Sequence, residues 1–107
     1  MKLDDDLIIA TKVAFGLRLA RASLGMSQAD FGALLGVSKP TIVRLETMGS
    51  PIKLAFYSKM VKTLSEMGVC VDAVSHEGVK IEVDESAVMR LIKQVEDEKV
   101  LRKKRFN

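Results

Sequence analysis

Residues 17–49 read LRLARASLGMSQADFGALLGVSKPTIVRLETMG, a stretch with the start and stop signals of short helices. Ser27, with an acid three residues later, is typical of a helix N-cap. Gly36 is typical of the left-handed residue that ends a helix. These signals predict a helix over 28–35.

The same signals recur after Gly36. Ser38 can cap a further helix, and Pro40 falls in its first turn, where a missing backbone amide is harmless. This helix is predicted over 39–47, and the Gly49-Ser50-Pro51 cluster ends it. Two capped helices that meet at a tight glycine turn predict a helix-turn-helix corner.

Apolar residues at spacings of three and four predict a helix on each side of this corner. The fourth helix is predicted over 52–67, with Gly68 as its stop. The first is predicted over 5–24, with Gly16 as a point where it can kink or break. Its apolar face comprises Leu7, Ala10, Ala14, Leu17, Ala20 and Leu24.

After residue 68 the apolar period changes to two, which predicts a β-hairpin with its turn at 75–78. The alternating residues are Val69, Val71 and Ala73 in one strand and Val79, Ile81 and Val83 in the other. An isolated hairpin is marginal in water, so we expect it either to pack on the helices or to extend a sheet in a partner chain. Cys70 is expected to be a small buried hydrophobe, and His76 a turn residue.

A last helix is predicted after Asp84, which can cap it. Its predicted apolar stripe comprises Val88, Leu91, Ile92 and Val95. Beyond Glu98 the chain is expected to fray into a basic tail. This stretch and the hairpin, residues 69–107, are interpreted as an extension for dimerisation or partner binding, and residues 1–68 as the helical domain.

Charge is segregated along the 107 residues, although the net charge is only +3. Residues 77–98 sum to −4 and residues 99–107 to +5. Residues 12–62 hold eight basic side chains against two acidic ones, which favours a surface that faces a polyanion.

Several classes of protein are disfavoured. No apolar run approaches the roughly 20 residues that cross a bilayer, and the start MKLDDDLIIA holds acids where a signal peptide holds bases, so we expect a cytoplasmic protein. One cysteine and one histidine are too few ligands for a Cys/His metal site. We expect no metal, no cofactor and no enzymatic activity, since no spacing typical of acid-base or nucleophilic catalysis appears.

Residues 17–49 resemble the Cro/repressor-type helix-turn-helix family, often called XRE-like. The resemblance is carried by the Arg18-x-x-Arg21 pair, the Ser27-Gln28 start, Gly32, the Gly36-Val37-Ser38 turn, Thr41-Ile42 and Arg44-Leu45-Glu46. It implies a mainly α, lambda-repressor-like domain with an embedded helix-turn-helix, here followed by a β-hairpin and a C-terminal helix.

The resemblance also implies that the helix after the turn enters the major groove of double-stranded DNA. Gln28 is expected to bind phosphate and brace that helix. Pro40 departs from the family pattern, because proline cannot hydrogen-bond to a base. The expected DNA-binding residues are Gln28, Ser38, Lys39, Pro40, Thr41, Val43, Arg44 and Lys53.

The expected function is a dimeric bacterial or bacteriophage repressor of a palindromic operator. An alternative is an antitoxin-type regulator that binds DNA and also binds a toxin through residues 69–107. A third is a nucleic-acid binder that engages RNA through its basic tail.

Overall fold

The computed structural model describes residues 4–47 and 51–106, and the predicted stop at Gly49-Ser50 lies outside them. These described residues form five helices and one hairpin in chain order. They are α1 (Asp5–Leu24), α2 (Gln28–Leu35), α3 (Lys39–Glu46), α4 (Leu54–Glu66), β1 (Val69–Asp72), β2 (Lys80–Val83) and α5 (Glu85–Phe106). The mainly α prediction, with a helix-turn-helix before a hairpin and a final helix, is confirmed.

The corner between α2 and α3 is built as its cap residues predict. The Ser27 hydroxyl accepts from the Asp30 amide at 3.1 Å, and Gly36 ends α2 with a φ of 75°. At Gly32 an added Cβ would lie 2.7 Å from the Val37 carbonyl oxygen, so only glycine lets the two helices approach this closely.

The core lies between α1, the corner, α4 and the inward face of the hairpin. Its largest fully buried side chains include Leu17, Phe31, Ile42, Met60 and Leu64. At about 1.5–3 kcal/mol for each large apolar side chain, this cluster supplies much of the driving force for folding. The ends of the predicted fourth helix lie outside α4, which runs from Leu54 to Glu66.

Helix α1 is continuous through Gly16. A Cβ at this position would lie 2.9 Å from Val71 Cγ1 of β1, so this glycine makes room for the hairpin. Leu7 belongs to the predicted apolar face, but its side chain is 47% exposed. It precedes the first core contact of α1 at Val13 by more than a helical turn.

The hairpin is antiparallel, with Val69 paired to Val83 and Asp72 to Lys80, and it packs on α1 and α4. Its connection, 73–79, is longer than predicted because Asp72 ends the pairing. The Asp72 carboxylate accepts from the amides of Val74 and Ser75 at 3.0 and 2.9 Å, and these bonds lower its pKa to about 2. The hairpin therefore packs on the helices of its own chain, which is one of the two predicted alternatives.

Cys70 was predicted to be buried, and that prediction is wrong: its side chain is exposed. Successive strand residues face opposite sides of the sheet. Since Val69 and Val71 point into the core, Cys70 between them points to solvent.

Helix α5 begins as predicted, because the Asp84 carboxylate accepts from the Ala87 amide at 3.1 Å. The expectation of fraying after Glu98 is wrong, since the helix continues to Phe106. Residues 96–104 are mostly strong helix formers, and Lys99 pairs with Glu96 at 3.5 Å one turn away. The predicted stripe does not face the core: every residue from 88 to 104 is exposed.

Candidate nucleic-acid interface

Helix α3 has one buried side and one solvent side. Ile42 and Leu45 lie in the core, and their burial fixes the rotation of the helix about its axis. The opposite side exposes Lys39, Pro40, Val43 and Arg44, with Thr41 half-buried at its edge. The sequence-predicted residues of α3 therefore share one outward face.

Three polar side chains form a hydrogen-bonded line along α3. The Ser38 and Thr41 hydroxyls lie 2.9 Å apart, and Arg44 Nη2 donates to Thr41 Oγ1 at 3.2 Å. Ser38 also caps the helix, accepting from the Thr41 amide at 3.3 Å. A guanidinium carries five N–H donors, so the bond to Thr41 orients Arg44 and leaves others for a ligand.

The inner end of α3 is held by a buried carboxylate. Glu46 is only 2% exposed. It accepts from Arg21 Nε at 3.0 Å and from Gln28 Nε2 at 3.0 Å. Arg18 Nε donates to the Glu46 backbone carbonyl at 2.9 Å. These contacts tie the end of α3 to α1 and to the start of α2.

The charge on Glu46 is stabilised by these partners. Burial alone would raise its pKa, but hydrogen bonds from Arg21 and Gln28 and the charges of Arg21 and Arg18 outweigh it. The pKa of Glu46 therefore lies below its ordinary value of 4.5. The carboxylate is ionised at neutral pH, and its charge is matched inside the protein.

Two of the predicted residues lie apart from the line on α3. Gln28 braces α3 through Glu46, in keeping with one half of its expected role, and its phosphate contact stays a prediction. Lys53 is exposed at the N-cap of α4, where its side chain makes no capping hydrogen bond.

The basic window 12–62 is not one uniform surface. Lys12 donates to the His76 carbonyl in the hairpin connection. Arg18 and Arg21 of α1 bind the backbone carbonyl and the carboxylate of Glu46. Sequence reasoning singled out both arginines and Glu46 but did not pair them. The sequence held a signal for this pairing, because Glu46 and Asp30 are the only acids in that window that could pair with the arginines.

A helix-turn-helix family model matches residues 17–65 of the chain. These residues form an XRE-like helix-turn-helix domain. The domain spans the last turns of α1, the corner and nearly all of α4, and it makes the protein a DNA-binding transcription regulator. No curated protein and no solved structure matches the chain significantly. Among residues 4–47 and 51–106, no helix is both long and apolar enough to span a membrane.

Proposed function

We propose that the protein is a homodimeric repressor, without enzymatic activity, that binds a palindromic DNA operator through the outer face of α3. The observation that carries the proposal is the line of Ser38, Thr41 and Arg44 on that face, beside the exposed Lys39. The acid nearest to this line in sequence, Glu46, is buried and paired with Arg21. The face therefore presents positive charge and donors toward a polyanion.

Each residue of this face has a role that follows from its chemistry. Arg44 makes a bidentate contact with guanine or with a phosphate. Thr41 donates to or accepts from a base edge. Val43 and Pro40 offer apolar contact to a thymine methyl group. Lys39 pairs with a phosphate, which supplies affinity and position rather than sequence preference.

Two copies are proposed because one short helix offers few base contacts. A two-fold dimer places two α3 helices on half-sites about one helical turn apart, so its operator is palindromic. A dimer bound over a promoter blocks polymerase. The upstream region of the gene itself is the first operator to test.

The experiment is a binding titration against that upstream DNA at two salt concentrations, with random DNA as the reference. Arg44→Ala is expected to cost about 1–3 kcal/mol of specific binding. Lys62→Ala removes the same charge from α4, away from α3, and is the matched control. It should leave the preference for operator over random DNA unchanged.

Unchanged operator affinity in the Arg44 variant would contradict its role. Equal affinity of the wild type for operator and random DNA would contradict sequence-specific repression. Salt is varied because phosphate contacts weaken steeply with ionic strength, whereas base contacts set the ratio between the two DNAs.

A second candidate is an antitoxin-type regulator, favoured by the solvent exposure of α5 from residue 88 to 104. In this case the exposed helix binds a toxin encoded by a neighbouring gene. Co-expression tests it: a chain truncated after Asp84, which keeps the hairpin on α1 and α4, should fail to protect cells from that gene product, and Arg44→Ala should still protect them. Protection by the truncated chain would exclude this role.

A further inference from the structure

Helix α5 carries an apolar face that the rest of the chain leaves uncovered. Ala87 is its one buried residue within 85–104. The face lines an open groove of about 470 Å³ with the end of β2. Its apolar lining comprises Val83, Ala87, Val88, Leu91, Ile92 and Val95. Monomeric proteins rarely expose such contiguous apolar surface without a partner for it.

The second half of α5 extends past the folded body. Gln94 passes Gly25 at the end of α1, and residues 97–104 are all exposed. A helical segment of about ten residues is marginal on its own in water. The whole molecule is accordingly elongated, with a longest dimension of 60 Å. This segment gains most from packing on another chain.

The outermost charged segments on either side of the apolar face are opposite in sign, although the exposed acids Glu96, Asp97 and Glu98 lie between the face and the basic one. Residues 81–89 hold three exposed acids and no base, namely Glu82, Asp84 and Glu85. Residues 99–104 hold four exposed bases and no acid. Along α5, at 1.5 Å per residue, Glu85 lies about 10 Å and Lys99 about 11 Å from the centre of the face between Leu91 and Ile92.

We propose that this groove is filled by α5 of a second copy of the chain, packed antiparallel across a two-fold axis near Leu91 and Ile92. Antiparallel packing places Val88 opposite Val95 of the second copy. It also brings the basic segment 99–104 of each copy to the acidic segment 81–89 of the other. A parallel pair would place like charges together, which costs energy at both ends.

A second copy is favoured over an unrelated partner because the patch is complementary to itself. A two-fold interface requires one surface to match its own rotated image. Glu85 before the apolar face and Lys99 beyond it lie at nearly equal distances from its centre, so a two-fold rotation brings each to the other. The inference rests on the homodimer of the proposed function and names its interface; every test below is read without DNA.

The first test is the molar mass of the full chain by sedimentation equilibrium. The wild type is expected to be a dimer. Ile92→Glu places two charges at the axis and should raise the dimer dissociation constant at least about 100-fold. Met89→Glu is the control, since Met89 is on the same helix, is 55% exposed against 49% for Ile92, and does not line the groove.

A monomeric wild type would overturn the inference, leaving the groove to another protein. A dissociation constant that Ile92→Glu leaves unchanged would contradict the proposed interface but not the homodimer. Equal dissociation by Met89→Glu would also overturn it. Circular dichroism of Met89→Glu should match the wild type, whereas Ile92→Glu should lose at most the helical signal of the end of α5, since both positions are exposed in the monomer.

The antiparallel register is tested by disulfide formation in a Cys70→Ser background, where the chain has no other thiol. Val88→Cys and Val95→Cys are prepared separately. Neither should cross-link alone, but a mixture of the two should, because each position faces the other across the axis. Cross-linking of either variant alone at the rate of the mixture would overturn the antiparallel arrangement.

The charge pairing is tested by reversal. Changing Lys99, Arg102 and Lys103 to glutamate should raise the dissociation constant on the order of tenfold at low salt. Adding Glu82→Lys and Glu85→Lys to the same chain should restore it. A dissociation constant that the second change leaves raised would overturn the proposed pairing.

Discussion

The helix-turn-helix domain and α5 use their apolar residues in opposite ways. In the domain, Phe31, Leu35 and Ile42 are at most 1% exposed, and the surface of α3 is polar and basic. In α5, Leu91 and Ile92 are 45% and 49% exposed. The domain buries its apolar residues within one chain. Helix α5 has the apolar pattern of a core helix, but that face is exposed.

The difference shows that amphipathic periodicity establishes a helix but not what covers its apolar face. Ile42 and Ile92 sit in similar stripes in the sequence. One is fully buried in the core, and the other meets solvent. Substitutions that separate these two situations test the comparison directly.

The largest effect is expected at the corner. Ile42→Asn removes a fully buried side chain and buries an amide in an apolar site, which should cost about 4 kcal/mol or more. Urea denaturation would measure it. Val43→Asn on the exposed side of α3 is the control, and it should change the free energy of unfolding by less than about 0.5 kcal/mol. Equal losses in the free energy of unfolding for the two variants would mean that α3 turns a different face toward the core.

The next effect is expected at the contact between α2 and the turn. Gly32→Ala puts a Cβ 2.7 Å from a backbone oxygen, which cannot move away as a flexible side chain would. We expect a loss of about 1–3 kcal/mol in the free energy of unfolding. Gly78→Ala in the hairpin connection meets no atom within 4 Å and should be close to neutral. Native stability in the Gly32→Ala variant would contradict the close approach.

Glu46→Gln should cost about 1–3 kcal/mol at neutral pH, since it weakens hydrogen bonds to charged partners. Because folding lowers the pKa of Glu46, its stabilisation is present above 4.5 and is lost as pH falls through the lower folded value. The free energies of wild type and variant should therefore converge in acid. A difference that stays constant from about pH 7 to about pH 3 would exclude the ion pair as its source.

The smallest effect is expected at the far end of α5. Leu101 is 62% exposed and lies outside the groove, so Leu101→Ser should change the free energy of unfolding by no more than about 0.5 kcal/mol. Thermal unfolding would measure it. A large loss would show that this end of α5 packs against the folded body.

Local signals in the sequence were enough for the helix-turn-helix. Ser27, Gly36 and Ser38 act through backbone chemistry within a few residues, so their roles could be predicted without the fold. The outward face of α3 followed as well, because the burial of Ile42 determines which residues point away.

Long-range contacts could not be predicted in the same way. The pairing of Arg21 with Glu46 joins residues 25 positions apart, and the room that Gly16 makes for Val71 joins α1 to the hairpin. The exposure of Cys70 is an exception, since it follows from the alternation of side chains along a strand whose Val69 and Val71 face the core. The domain boundary after residue 68 stays a prediction.

Helix α1 packs on α3 at one end of its buried face and on the hairpin at Gly16. It therefore holds the helix-turn-helix and the hairpin in a fixed arrangement. In the proposed dimer, the distance and angle between the two α3 helices are set by this rigid frame rather than by a hinge. Such a frame allows only one spacing between the two half-sites of the operator. One base pair added between the half-sites turns the second about 35° away from its α3, since B-DNA completes a turn in about 10–10.5 base pairs. A promoter would therefore escape control by a change in operator spacing that leaves both half-sites intact.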